Sequence, residues 1–222
     1  MNIAILGTGR VGGTLGIRWA SQGHRITYGV RDSESAEVRE VLSKSPQATA
    51  TTLRAAVEAN TVVLLAFPWN VTEEVLQSLG NLAGKILLDC INPISADLKR
   101  LECGFTTSAA EQIAAWAPGA KVVKAFNTVS NASMANPLFG GEKAAMFYCG
   151  DDAEAKAIVR SLTEDVGLEP VDAGPLQQAR HLEPLAHLYI HLAVFGGWGD
   201  CAFRMVKRRG FELPHDRAGS NA

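Results

Sequence analysis

The chain has 222 residues, 21 Lys and Arg against 23 Asp and Glu for a formal net charge of −2, and 47% hydrophobic residues. That is enough apolar material for a full core, while the near-balanced charge leaves no electrostatic footprint for nucleic acid or an acidic membrane surface. Met1 leads directly into an apolar run with no secretory leader, and the longest apolar stretch, 185–198, is broken by His187, His191, Gly196 and Gly197, so no membrane span is expected. The chain therefore reads as cytoplasmic, with Cys90, Cys103, Cys149 and Cys201 as reduced thiols lacking metal-ligand spacing.

In chain order, short continuous apolar runs at 3–6, 26–28, 62–67, 86–89 and 122–126 read as strands buried on both faces. Amphipathic stretches at 10–22, 35–43, 52–58, 72–79 and 108–117 read as the helices between them, with Gly23 placed to cap the first. Strand–helix alternation implies right-handed crossovers, giving an α/β fold of the Rossmann type with a doubly wound parallel sheet. Residues 127–143, rich in Asn, Ser, Gly and Pro, read as loop with a short helix. They are followed by a strand at 144–149, a helix at 153–166 and a strand at 168–171. Residues 177–209 read as mainly helical, bent at Pro184 and at Gly196-Gly197, and ending in the basic cluster Arg204, Lys207, Arg208 and Arg209. The expected organisation is a dinucleotide-binding domain over 1–128, a smaller α/β and helical part over 129–211, and a frayed tail over 212–222.

Gly7-Thr8-Gly9-Arg10-Val11-Gly12 follows the first strand directly and opens the first helix, the context in which G-x-G-x-x-G binds a pyrophosphate. Gly7 would make the tight turn, Gly9 let the backbone approach the phosphates, and Gly12 let helix and strand pack closely. The helix N-terminus then offers unpaired N–H groups to the anion. At the end of the second strand, where NAD-specific sites carry an acid, stands Gly29, with Arg31 and Ser33 just beyond. A glycine there leaves room for a 2′-phosphate and a guanidinium can pair with it, which favours NADPH; Asp32 is the competing ribose ligand. Ligands of such sheets lie beyond the carboxyl ends of the strands. That puts Ala66, Phe67, Pro68, Trp69, Asn92, Pro93, Asn127, Ser130 and Asn131 at the candidate site, with the Asn side chains facing a carboxamide or serving turn chemistry.

These segments together resemble the coenzyme F420-dependent NADP reductase family. The resemblance runs over nearly the whole chain, through 5–9, 29–31, 67–69, 92–93, 124–128, 149–152, 172–176 and 179–183. It implies a homodimeric enzyme holding NADP(H) along the glycine loop, with a deazaflavin (coenzyme F420) stacked on the nicotinamide between the two parts. It also implies that Arg31 holds the 2′-phosphate and that the backbone at Ser130 and Asn131 contacts the nicotinamide amide. Phe126-Asn127-Thr128 is more similar to the NADPH-binding domain of iron reductases that pass hydride to a flavin, so a flavin is the alternative acceptor.

Hydride transfer between stacked rings needs proximity more than acid–base help, in keeping with a sequence that shows no triad or paired carboxylates. Asn127, Ser130 and Asn131 are therefore read as positioning groups, with Phe67, Pro68, Trp69 and Pro93 as apolar walls. His187 and His191, spaced i, i+4, lack a third ligand and read as buried or interface histidines rather than a metal site. Two other functions stay open: a dinucleotide-binding redox sensor without turnover, and a hydroxyacid- or imino acid-dehydrogenase-like enzyme.

Overall fold

The computed structural model describes residues 1–208. Ten strands and eight α-helices are present among them: β1 (Asn2–Leu6), α1 (Arg10–Ser21), β2 (Arg25–Val30), α2 (Ala36–Lys44), β3 (Thr49–Thr52), α3 (Leu53–Ala59), β4 (Val62–Leu65), α4 (Thr72–Ser78), β5 (Ile86–Asp89), α5 (Ala109–Trp116), β6 (Lys121–Lys124), α6 (Asn131–Ala135), β7 (Leu138–Phe139), β8 (Glu142–Lys143), β9 (Ala145–Gly150), α7 (Ala153–Val166), β10 (Glu169–Asp172) and α8 (Ala179–Val194).

Eight strands form one sheet in the order β10-β9-β6-β5-β4-β1-β2-β3, and β7-β8 is a separate small hairpin. Strands β1 to β6 are all parallel, so their carboxyl ends share one edge. Each face of the sheet buries its own core. Ile3 and Ile5 of β1 meet Leu15 and Trp19 of α1 and Leu162 and Val166 of α7 on one side. Ala4 and Leu6 meet Ala56 of α3, Leu76 of α4, Ile113 of α5 and Leu182 of α8 on the other. The alternation follows from the strand period of two, and helices on both faces explain why the strands read as unbroken apolar runs.

Local rules account for several boundaries. Ser35, Thr52, Ser108, Ser130 and Asp152 each accept an N–H bond at a helix start, the usual satisfaction of orphan donors in a first turn. Gly167 ends α7 in the left-handed region at φ 93°.

Two features, β3 and the end of α8, depart from the sequence reading, and β9 adds to it. Strand β3, Thr-Ala-Thr-Thr, was not expected. It is a four-residue edge strand without an apolar run, formed because β2 offers it a pairing edge. Strand β9, whose direction the sequence left open, joins the main sheet antiparallel to β6. The helix expected to reach residue 209 stops at Val194. Gly197 and Gly199 follow with φ 77° and 61°, and the chain then runs irregularly along β9, with the Ala145 N–H donating to Phe203 O at 2.8 Å. Arg204, Lys207 and Arg208 therefore lie on no helix; Arg204 pairs with Glu142 at 2.7 Å. Arg209 and the tail over 212–222 lie outside the described residues.

Candidate functional site

The glycine loop leaves β1 at the carboxyl edge. Gly7 has φ 109°, and a Cβ on it would sit 2.4 Å from Ala66 O; a Cβ on Gly12 would sit 2.2 Å from Gly7 O. Backbone packing alone therefore demands glycine at both positions. Gly9 differs: it is the N-cap of α1, and a Cβ there would meet nothing within 4 Å. No protein atom explains its glycine, and the space beside it is open. No side chain caps α1, and its first turn has no acidic residue. The N–H groups there, and the positive end of the helix dipole, remain available to an anion. Thr8 and Val11 are half-buried and Arg10 is exposed.

Arg31 and Ser33 are exposed just past β2, and the Arg31 guanidinium has no partner among the described residues. Asp32 accepts the Glu34 N–H at 2.9 Å, which gives it a turn role of its own. Gly29 is a glycine for packing and not, as expected, to make room for a 2′-phosphate. It is buried, and a Cβ on it would strike Leu6 Cδ2 at 2.6 Å and approach Leu53 Cα at 3.1 Å. Its missing side chain lets α3 close on the sheet and leaves no room toward a phosphate.

Ala66, Phe67 and Pro68 follow β4 beside the glycine loop, with the Ala66 N–H donating to Leu6 O at 3.1 Å. Trp69 turns away: it stacks on Trp116 of α5, ring centroids 5.5 Å apart, and so packs a helix rather than walling the edge. Asn92 and Asn127 face one another across the ends of β5 and β6. Asn92 Nδ2 donates to Asn127 O at 2.9 Å, and Asn127 Nδ2 donates to Asn92 Oδ1 at 3.3 Å and to Leu182 O at 3.0 Å. Two main-chain carbonyls, which can only accept, fix which way both amides point. Asn127 Oδ1 is then left buried without a partner, as is the hydroxyl of Thr128. A buried polar atom without a partner is costly in a finished protein. Pro93 is buried beside Asn92.

Phe126, just before Asn127, has φ 58° although it is not a glycine. That conformation costs about 1–2 kcal/mol. Burial of its ring, edge-on to Trp19 at 5.7 Å, holds it there. The strained residue turns the chain at the end of β6, just before Asn127, which is itself buried. Ser130 caps α6 and also donates to Asp200 Oδ1 at 3.1 Å, with Ser133 bonding the same oxygen at 3.2 Å. Asn131 is half-buried at the first position of α6. The glycine loop, 66–68, 92–93 and 127 thus gather on one edge; Ser130 is engaged by α6 and Asp200, and Trp69 belongs to another cluster.

Beneath the edge, Lys124 Nζ lies 2.7 Å from Asp89 and 2.9 Å from Glu183, all three fully buried. Glu183 also accepts the N–H groups of Ala109 and Ala110 at 2.8 and 3.1 Å. Burial by itself would push the Lys124 ammonium down; the two carboxylates overturn this and hold it well above the usual lysine range. Burial pushes the Glu183 carboxyl up, against the pull of Lys124. Neither this cluster nor the strained Phe126 was anticipated from composition or spacing; only an unbroken strand ending in a lysine, Val-Val-Lys, hinted at it.

Cys90 and Cys149 are buried thiols that donate to Leu65 O and Leu176 O, and burial pushes each up to about 12, so they stay protonated and inert. His187 and His191 line a shallow apolar groove with Leu101, Phe105, Pro184 and Leu188. Among the described residues no three His, Cys, Asp or Glu side chains gather as a metal site, and no helix is long and apolar enough to cross a membrane.

A family model described as NADP oxidoreductase coenzyme F420-dependent matches residues 2–93. The chain is 30% identical over 210 residues to an F420-dependent NADP reductase of Methanothermobacter marburgensis, covering 87% of this chain and 93% of that protein. It is 32% identical over 184 residues to the rat metalloreductase STEAP3, covering 82% of this chain but spanning only 36% of the relative. Among solved structures, a candidate F420-dependent NADP reductase from Arthrobacter sp. FB24 superposes with a TM-score of 0.82 at 32% identity, covering 92% of this chain and 99% of that one. A reductive aminase from Aspergillus terreus, solved with NADPH, shares the fold at a TM-score of 0.66 and 21% identity; the match covers 62% of that chain.

Proposed function

The chain belongs to the coenzyme F420-dependent NADP oxidoreductase family, and we propose that it transfers hydride between NADP(H) and a tricyclic acceptor, coenzyme F420 or a flavin. The observation that carries this reading is the orphaned Asn127 Oδ1, a buried acceptor at the carboxyl edge that a carboxamide N–H would satisfy. The open space at Gly9 and the uncapped first turn of α1 fit the pyrophosphate of the same dinucleotide. Gly7, Thr8, Gly9, Arg10, Val11 and Gly12 would line it, Arg31 and Ser33 would take the 2′-phosphate, and Ala66, Phe67, Pro68, Asn92, Pro93 and Asn131 would border the ribose and nicotinamide. When bound, the two cofactors supply the chemistry: hydride, a proton with two electrons, passes between nicotinamide C4 and the acceptor ring.

The protein's part is to hold, orient and exclude water. Asn127, fixed by Leu182 O and Asn92, orients the amide; Phe67 and Pro93 supply apolar surface. The buried carboxyls Asp89 and Glu183 are tied to the Lys124 ammonium and to main-chain N–H groups, so neither is poised to protonate a small carbonyl or imine. The second part, of which residues 129–208 are described, would border the acceptor, its strands β9 and β10 extending the sheet of the dinucleotide-binding domain over 1–128. The exposed apolar residues Phe105 (75%), Leu188 and Trp198 (71%) support a face that a second copy covers. The reduced thiols support a cytoplasmic setting.

The test is a panel of acceptors at fixed NADPH, following loss of its absorbance, with Arg31→Ala beside the native protein. F420, FMN or riboflavin should stimulate oxidation. Arg31→Ala should weaken NADPH by about 1.5–3 kcal/mol and barely affect NADH. Reduction of small ketones or imines without response to any tricycle would refute the acceptor, and equal losses for both nucleotides would refute the role of Arg31.

A further inference from the structure

The buried cluster of Asp89, Lys124 and Glu183 has a sign as well as a shape. Every partner of its two carboxylates is a donor: the Ile91 N–H reaches Asp89 Oδ1 at 2.8 Å, the Ala109 and Ala110 N–H groups reach Glu183, and the Lys124 ammonium reaches both. Asp89 Oδ2 makes no aligned hydrogen bond beyond its 2.7 Å approach to the Lys124 ammonium; counted as two carboxylates around one ammonium, the cluster carries one surplus negative charge.

The cluster also ties together the segments that carry the Asn pair. Lys124 donates to Ile91 O at 2.6 Å, next to Asn92. Glu183 follows Leu182, whose carbonyl accepts from Asn127. Lys124 itself ends β6, three residues before Asn127. At about 3.3 Å per residue the cluster lies within roughly 10 Å of the paired amides.

We propose that Asp89, Lys124 and Glu183 are positioning residues that lock the Asn92–Asn127 pair and whose surplus negative charge favours the oxidised nicotinamide, which carries a positive charge that the reduced ring lacks. The inference rests on the dinucleotide reading given above, with the nicotinamide at Asn127. A unit charge about 10 Å away, at an effective dielectric constant near 20, shifts an equilibrium by about an order of magnitude. The N–H groups at the start of α5 offset part of this, which leaves roughly three- to tenfold.

The experiment is titration of the full chain with NADP+ and with NADPH separately, without acceptor, by calorimetry. Glu183→Gln and Asp89→Asn each remove the surplus charge and should raise the ratio of dissociation constants, NADP+ over NADPH, by about three- to tenfold. Glu183→Asp keeps the charge and should keep the ratio. A purely structural role would weaken both nucleotides equally, and an unchanged ratio in the folded neutral variants overturns the proposal. If neither neutral variant folds, the native protein decides: NADP+ bound at least as tightly as NADPH supports the charge effect, and weaker NADP+ overturns it. Failure of the native protein to bind either nucleotide would overturn the dinucleotide reading too, whereas an unshifted ratio leaves that reading standing.

Discussion

Replacing Glu183 by Ala tests how much of the fold hangs on one buried carboxylate. The substitution removes an acceptor from the Ala109 and Ala110 N–H groups at the start of α5 and one of the two counter-ions of Lys124. Each orphaned donor costs about 1–3 kcal/mol, and breaking a buried ion pair costs about 3–5 kcal/mol in total. These overlap rather than add, because Asp89 still faces Lys124 at 2.7 Å, so about 4 kcal/mol is expected. For a chain of this size that lowers the melting temperature by about 8–16 °C. Arg180→Ala is the internal control. Arg180 joins the same two helices through Glu111 at 2.7 Å, but that pair is partly exposed, so its loss should cost about 1 kcal/mol or less. Urea unfolding followed by tryptophan fluorescence measures both. Equal losses for the two variants, or a loss under about 1 kcal/mol for Glu183→Ala, would refute the assignment of the cluster as a fastener between sheet, α5 and α8.

The two loop glycines should separate cleanly. Gly9→Val should stay folded and lose NADPH binding, whereas Gly12→Val, whose Cβ meets Gly7 O, should unfold at markedly lower denaturant; retained affinity in Gly9→Val would mean the phosphates lie elsewhere. Burial holds Cys90 and Cys149 at about 12 in the fold. Because these values are raised, the stability they contribute is whole below the unfolded thiol value near 9 and is lost as pH climbs toward 12. Denaturation midpoints should therefore fall across that window, and iodoacetamide at pH 8 should spare both thiols until urea is added; native labelling at the rate of a free thiol would contradict the burial. Leu188→Asp with Phe105→Asp should convert a dimer to monomer by light scattering, and an unchanged mass would remove that face as the interface.

The sequence by itself determined what is local. An apolar run followed by G-x-G-x-x-G can hardly be other than strand, tight turn and helix, because Gly7 and Gly12 have no steric alternative once β1 and α1 lie together. Asp152 three residues before the Ala155 N–H starts α7 where expected, and the apolar block of β5 ends where Asp89 turns back on Ile91. Tertiary structure decided the rest, since periodicity reports that a residue is buried but not against what. It gave β3 a partner that its own Thr-rich residues do not announce, and it set β9 antiparallel beside β6. It also assigned Gly29 to the packing of α3 rather than to a phosphate. The same holds at the site: Lys124, Asp89 and Glu183 are unremarkable charges at distant positions in the chain, and become one buried unit only when β5, β6 and α8 meet. The left-handed turn at Phe126, just before Asn127, is sustained because Trp19 and the core hold its ring in place.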